Sequence, residues 1–435
     1  MKKMLTCILV AVTVGLSTRS LTAQELTAIK AGRLVEVDQG EVRTGQVILV
    51  RGQKIEAVQP ASAPIPKGAK IIDLSGYTVM PGLIDCHTHL EDSLQGASPA
   101  DPLLHSAAQN AFIGVRQARA TLLAGFTSVR DVGTFRAFVD VALRNAINDG
   151  TVIGPRMEVA GAYVTVSGGG GEVTGLAPDV VVPAEMRKGV ANSVPEIRQR
   201  VREILNGGAD FIKIIATGAV LAAGTNPGAP EYSEEEIRAA VEEAANHGTF
   251  VAAHAHGAEG IKRAVRAGVR SIEHGSLADD EALKLMKEHG TWLVADIYNG
   301  DYIDSVGKRD GWPEEVLRKN TETTETQRVA FRKAVTMGVK IAYGTDSGVY
   351  PHGLNAAQLP YMVRYGMTPM QAIQSATIRA AELMRWEDKV GSLAPGKFAD
   401  IIAVEGDPLA DLHRMMKVGF VMKGGSVVKG GPAGR

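Results

Sequence analysis

Between residues 81 and 385 the sequence alternates short apolar, β-branched runs with stretches of helical spacing. It does so eight times: GLIDCHTHL, FTSVRDVG, RMEVAGAYV, FIKIIATG, FVAAHAHG, SIEHGS, WLVADIY and KIAYGTDSG. Strand then helix, repeated in this way, predicts a closed (β/α)8 barrel of parallel strands, an α/β architecture. Local signals agree. Ser193 with Glu196 and Ser233 with Glu236 predict capping boxes. Glycines ahead of several strands, at Gly125, Gly208, Gly248, Gly268 and Gly290, suit helix C-terminal caps. A doubly wound open sheet is disfavoured, because no G-x-G-x-x-G follows the first strand.

The flanks differ in kind. Residues 24–80 read as short strands and turns, in AIKAGRLVEV, GQVILVRGQKIEAV and KIIDLSGYTVMPG. Residues 386–435 repeat that style in GKFADIIAV and VGFVMKGG. A small β-sandwich built from both termini is expected beside the barrel, since chain ends often lie close together. Residues 1–23 have the layout of a signal peptide: Lys2 and Lys3, the apolar run MLTCILVAVTVGL, then a polar segment with cleavage after Ala23. The run is too short for a comfortable membrane span. Export to the periplasm or the medium is therefore expected, with no membrane attachment after processing. Cys86 would then be the only cysteine, which excludes an intrachain disulfide. A formal charge of -1 over 435 residues gives no basic footprint for nucleic acid and points to a small-molecule ligand.

The chemistry gathers at strand ends. Lys213 stands in the middle of ADFIKIIATG, a run that reads as a strand buried on both faces, where an unpaired ammonium would cost several kcal/mol. His87 and His89, two apart, project from one face of the first strand. His254 falls on the fifth strand, His274 on the sixth and Asp346 on the eighth. Ordinary barrel packing would fill these layers with Val, Ile and Leu. The run SGGGGEVTG lacks the G-K-[ST] ending of a phosphate cradle and is expected to be a mobile loop over the barrel mouth. His105, His247, His289, His352 and His413 lie off the strand ends and are expected at the surface.

In order, PGLIDCHTHL, KIIATG, HAHG, EHG and GTDSG resemble the amidohydrolase superfamily, specifically its two-metal members with a lysine on the fourth strand. In similar enzymes that lysine reacts with carbon dioxide to form a carbamate bridging two divalent ions. The resemblance thus implies a carboxylated Lys213, and burial would help by lowering the lysine pKa and supplying the neutral amine. Carried over, His87, His89 and Asp346 would hold one ion, His254 and His274 the other, and Lys213 both. Imidazole and carboxylate ligands suit zinc, with cobalt, manganese or nickel as substitutes. The ion pair would acidify a bridging water for attack on the carbonyl. Asp346 would accept the water's proton and pass it to the leaving amine. His256, on the same face as His254, is expected to donate to the carbonyl oxygen. Tyr163, Ser167, Tyr232 and Tyr298 are expected to line the substrate pocket.

YVTVSGGGG, EYSEEE and HAHG resemble the imidazolonepropionase-related branch that contains Xaa-Pro and other dipeptidases and bacterial hydrolases of ochratoxin A. The implied reaction is hydrolysis of the amide joining an acyl or aminoacyl group to a C-terminal amino acid, on a small-molecule or dipeptide substrate. Relatives in this branch are often multimeric, so a homo-oligomer is expected. Cyclic-amide hydrolysis of the imidazolonepropionase type is the enzymatic alternative, against which the lysine speaks because those relatives use one metal. A non-catalytic binding or scaffold protein is the alternative from another class, and it should have lost ligands.

Overall fold

The eight segments pair edge to edge. In the computed structural model, which describes residues 25–92 and 98–430, parallel strands Leu83–Thr88, Phe126–Asp131 and Arg156–Val159 form one arc. Tyr163–Val164, Ile212–Ile215, Val251–Gly257, Ser271–Leu277 and Trp292–Val294 form the other. The third expected strand is thus split, and its two pieces pair with different neighbours. Gly161, at φ 75°, turns the chain between them, and the Asp210 N–H donates to Val159 O at 2.8 Å across the gap.

The eighth segment is held by single bridges rather than a continuous ladder. Ala342 N–H donates to Leu293 O on one side, while Cys86 N–H donates to Tyr343 O and His89 N–H to Ser347 O on the other. The ring is closed, and the chain has the (β/α)8 barrel and small β-sandwich that its sequence predicts. All residues of Leu83–Thr88, Phe126–Asp131, Ile212–Ile215 and Val251–Gly257 are buried, as strands lying between an interior and a helical layer must be.

The helices outside the ring follow their caps. Ser233 and Glu236 form the expected reciprocal box ahead of Glu234–Asn246. Ser193 does not cap Val194–Asn206 with its side chain. Glu196 instead accepts from the Asn192 N–H at 2.6 Å, one residue earlier. An unforeseen box, Ser106 with Gln109, starts Ala107–Leu123. Gly268 and Gly290 end their helices at φ 97° and 68°, where an L side chain would be strained.

Both ends of the described chain meet in one seven-stranded sheet. Ile401–Glu405 runs antiparallel to Lys70–Pro81, which is parallel to Leu26–Glu36 on its other side. The sheet folds over so that its far edge meets the C-terminal half: Ile55 N–H donates to Lys397 O and Ala399 N–H to Gln53 O, each at 2.9 Å. Inside the fold, Ile29, Leu34, Ile48, Ile72, Ile401 and Phe420 share a core. Val35, Met80, Ile402 and Val421, from the other face, join the core of the barrel. The expected signal segment, residues 1–23, lies outside the described residues. Among the described residues no helix is long and apolar enough to cross a membrane.

The chain passes from sheet to barrel at Gly82, whose N–H donates to Asp400 O at 2.9 Å. A Cβ there would fall 2.1 Å from Thr127 Oγ1 and 2.5 Å from its Cγ2. Thr127 is buried and β-branched, so it has little freedom to move aside. Gly82→Ala should therefore lower unfolding stability by about 1–3 kcal/mol, measured by urea denaturation. An unchanged midpoint would show that this joint is looser than the packing indicates.

Candidate active site

Strand geometry brings the expected side chains to one cavity of about 210 Å³ at the strands' C-terminal ends. His87, His89, Lys213, His254, His256, His274 and Asp346 all line it. Asp346 Oδ1 lies 3.4 Å from His87 Nε2 and 3.2 Å from His89 Nε2. The rings of His254 and His256 each stand within 5 Å of the His274 ring, at centroid separations of 4.6 and 4.7 Å. Two of these residues have backbones few L-amino acids adopt: His274 at φ 71° and Asp346 at φ 56°. Strain of this kind persists only where surrounding contacts over-determine it, and it concentrates at functional sites.

The remaining ring nitrogens are tied from behind. His87 Nδ1 faces Glu273 Oε2 at 3.0 Å, and His89 Nδ1 faces Gly133 O at 2.8 Å. His274 Nδ1 is 3.1 Å from Asp296 Oδ1. The Glu273 and Gly133 acceptors favour a proton on Nδ1, which leaves Nε2 facing the cavity, where it can release its own proton to ligate a metal. His254 is reversed: its Nε2 faces Gly218 O at 3.2 Å, leaving Nδ1 for the interior. Fixing the tautomer through the far nitrogen is how proteins prepare histidines to bind metal. Donor atoms of His87, His89 and Asp346 lie within 4.8 Å of one another, as do those of His254, His256 and His274, and of His274, Asp296 and Asp346. The donor set therefore fits divalent ions held by nitrogen and oxygen.

Burial sets the protonation states. It pushes Lys213 down to about 8, with Arg130 adding to the effect and Glu273 opposing it. Burial, with His274 beside it, takes His256 down to about 3, so that ring is neutral near pH 7. Burial alone would raise Asp346, but hydrogen bonds and charge from His87 and His89 outweigh it and hold the carboxyl well below its usual range. Asp296 is likewise brought to about 2, burial being outweighed by His274.

Several supporting groups gave little signal in the sequence. Arg130, fully buried, donates to Glu273 Oε1 at 2.7 Å, to Ser271 Oγ at 3.0 Å and to Cys86 O at 2.7 Å. The chain Arg130–Glu273–His87 thus crosses the barrel interior. Asn299 Nδ2 bridges Asp296 Oδ2 and Asp346 Oδ2, at 2.8 and 3.1 Å, and Gln327 donates to Asp296 Oδ1 at 2.8 Å. Asp296 follows the strand Trp292–Val294 by two residues, the same kind of position as the other cavity residues; it is not among the expected residues, although the strand-end rule points to it. Asn299 and Gln327 lie on helices and carry no such mark.

The four expected pocket residues divide. Tyr163 lines the cavity, its hydroxyl donating to Gly133 O at 2.9 Å. Tyr232 does not: it is buried beneath the wall and its hydroxyl donates to Ala191 O at 2.8 Å. Ser167 is exposed and bonded to Asn192. Tyr298 packs among Tyr350 and Tyr361, away from the cavity. His352, expected at the surface, is tucked behind the site with Nε2 3.2 Å from His89 O and Nδ1 3.1 Å from Thr121 Oγ1. The glycine-rich turn does wall the cavity, through Gly170 and Gly171. Side chains hold it: Gly168 N–H donates to Glu172, Gly170 N–H to Glu231 and Gly171 N–H to Thr165.

Residues 78–428 match the amidohydrolase family. The chain is also 34% identical over 431 residues to an ochratoxinase of Aspergillus niger, covering 93% of this chain and 87% of that one. The chain belongs to the amidohydrolase family. Among solved structures, this amidohydrolase is similar to a Xaa-Pro dipeptidase with methionine bound in its active site, at 40% identity and TM-score 0.88, covering 93% of this chain and 100% of that one. It is also similar to a prolidase complexed with N-methylphosphonate-L-proline, at 32% identity and TM-score 0.85, covering 93% and 99%. The amidohydrolase is a hydrolase close to ochratoxinase and prolidase-like enzymes, and its His and Asp groups are able to hold metal.

Burial would raise the Glu273 carboxyl, but Arg130, then His87, overrule it and hold it well below the usual range. Glu273→Gln should cost about 3–5 kcal/mol at pH 7 in metal-free protein, because it strands the Arg130 charge. Since the folded pKa lies below the unfolded value of about 4.3, this stabilisation is complete above that pH and is lost as pH falls toward the folded value. Urea melts should show the gap between wild type and variant narrowing below about pH 4. A gap that stays constant would contradict the ion pair.

Proposed function

We propose that this enzyme hydrolyses the amide bond between an acyl or aminoacyl group and a C-terminal amino acid, as a dipeptidase or carboxypeptidase-like amidohydrolase that also accepts N-acyl amino acids such as ochratoxin A. The observation that carries this reading is the convergence of a desolvated lysine with three groups of His and Asp donors on one cavity. The similarity to an ochratoxinase, a Xaa-Pro dipeptidase and a prolidase supports the substrate class.

Lys213 has the property that carboxylation demands. At a pKa of about 8 a useful fraction of the amine is neutral near physiological pH. Its lone pair adds to the carbon of carbon dioxide and one proton leaves, giving an anionic carbamate where a cation would be costly. His87, His89 and Asp346 would then hold one divalent ion and His254 and His274 a second, with the Lys213 carbamate shared. Such a pair, zinc by donor chemistry, supplies an acidified water and polarises the scissile carbonyl.

The chain's own groups complete the reaction. Asp346 Oδ1 is the proton acceptor, kept ionised by His87 and His89. Asn299 fixes its other oxygen, so the carboxylate does not rotate away between accepting the proton and delivering it to the leaving nitrogen. His256 is neutral. Ser276 Oγ lies 2.8 Å from its Nδ1 and is able to donate there; in that tautomer the ring proton sits on Nε2, where it can donate to the carbonyl oxygen as negative charge develops.

Lys213→Ala should lose activity on N-acyl amino acids and dipeptides, and short-chain carboxylic acids should restore part of it by taking the place of the carbamate. Full activity in the untreated variant would remove the lysine from the mechanism. Asp346→Asn should retain most of its metal by elemental analysis yet lose at least about 10³-fold in kcat. Near-native turnover would remove the proton-transfer role.

A further inference from the structure

We propose that the Glu315–Lys319 pair clasps an apolar subsite for the side chain of the leaving amino acid, and that neutralising Glu315 with Lys319 is what makes the enzyme select apolar over cationic residues there. This rests on the proposed amide hydrolysis and adds its substrate class. Val220, Leu221, Ile303, Val316 and Val349 line one part of the cavity and belong to a single apolar cluster backed by Trp312. That patch lies on the Asp346 side. Val349 N–H donates to Asp346 O at 3.1 Å, and the turn carrying Ile303 begins at Asn299, which bonds the Asp346 carboxylate. A leaving nitrogen that takes its proton from Asp346 therefore lies beside this patch, which is within reach of its own substituents.

A loop and a helix meet there and are locked by one ion pair. Lys319, 2% exposed, reaches Glu315 at 2.7 Å and donates to Ala222 O at 2.8 Å. Glu315 Oε1 accepts from Gly224 N–H at 3.0 Å. The clasp thus fixes the loop that presents Val220 and Leu221 against the helix Glu314–Met337 that presents Val316. Glu315 itself lines the cavity. Its charge is spent on Lys319 and a backbone amide, so a guanidinium or ammonium entering among Val220, Leu221, Ile303, Val316 and Val349 meets a Glu315 already neutralised and loses its water for little in return. An apolar or aromatic side chain loses nothing comparable.

The test uses the metal-loaded full chain with N-acetyl-L-phenylalanine, N-acetyl-L-leucine, N-acetyl-L-arginine and N-acetyl-L-glutamate. Wild type should favour the first two by roughly 100-fold in kcat/KM. Lys319→Met releases Glu315 and should raise the arginine-to-phenylalanine ratio by about 10-fold or more. Lys319→Gln keeps a donor for Ala222 O while removing the charge, and it should show the same change of ratio with a smaller drop in Tm. It is the variant that decides if Lys319→Met does not fold. A folded Lys319→Gln protein with the wild-type ratio, or a wild type that prefers arginine or glutamate, overturns the clasp. Turnover of the whole panel without preference overturns this inference alone, whereas no turnover of any member or of the matching alanyl dipeptides overturns the amide-hydrolysis reading beneath it.

Discussion

A closed ring of strands admits no water to spare, so every charge placed inside it must be answered by another group inside it. This barrel carries an unusual load: Arg130, Lys213, Glu273, Asp296, Asp346 and five histidines are all buried. The rest of the site follows from how they are paired. Arg130 is compensated by Glu273, and Glu273 orients His87. Gln327 and Asn299 steady Asp296 and Asp346, which in turn face His274, His87 and His89. Such networks are stable only when each member is satisfied, which is also what holds ring nitrogens in fixed tautomers.

Lys213 is where this pairing is incomplete. Burial pushes it toward the neutral amine against the pull of Glu273, and in the proposed chemistry carbon dioxide turns that amine into an anion suited to the facing imidazoles. The strain at His274 and Asp346 belongs to the same arrangement, because both backbones leave their strands at angles that turn their side chains inward. A scaffold protein relieved of catalysis would have no reason to keep either the strain or the desolvated lysine.

Legibility in the sequence followed the periodicity of the residues concerned. His87, His89, Lys213, His254, His256, His274 and Asp346 sit on the eight strand segments or at their C-terminal ends, and all seven reach the cavity. Tyr232, Ser167 and Tyr298 sit on loops or just past a strand. Their direction is decided by tertiary partners, Ala191, Asn192 and Tyr350, that no local pattern encodes. The split third strand escaped notice for a similar reason: RMEVAGAYV carries no charged residue from Val159 onward to mark a break, and only the turn at Gly161 divides it. The glycine-rich turn reads as mobile by composition, yet acceptors from Thr165, Glu172 and Glu231, the last distant in sequence, hold its amides.

The central claim is that Lys213 works as a carbamate between two ions. Carbon-13 NMR of the active, zinc-replete enzyme equilibrated with labelled bicarbonate tests it most directly. The account predicts one carbamate resonance per chain, accompanied by two bound zinc ions. Fully active enzyme with no such resonance, its lysine unmodified, would contradict it.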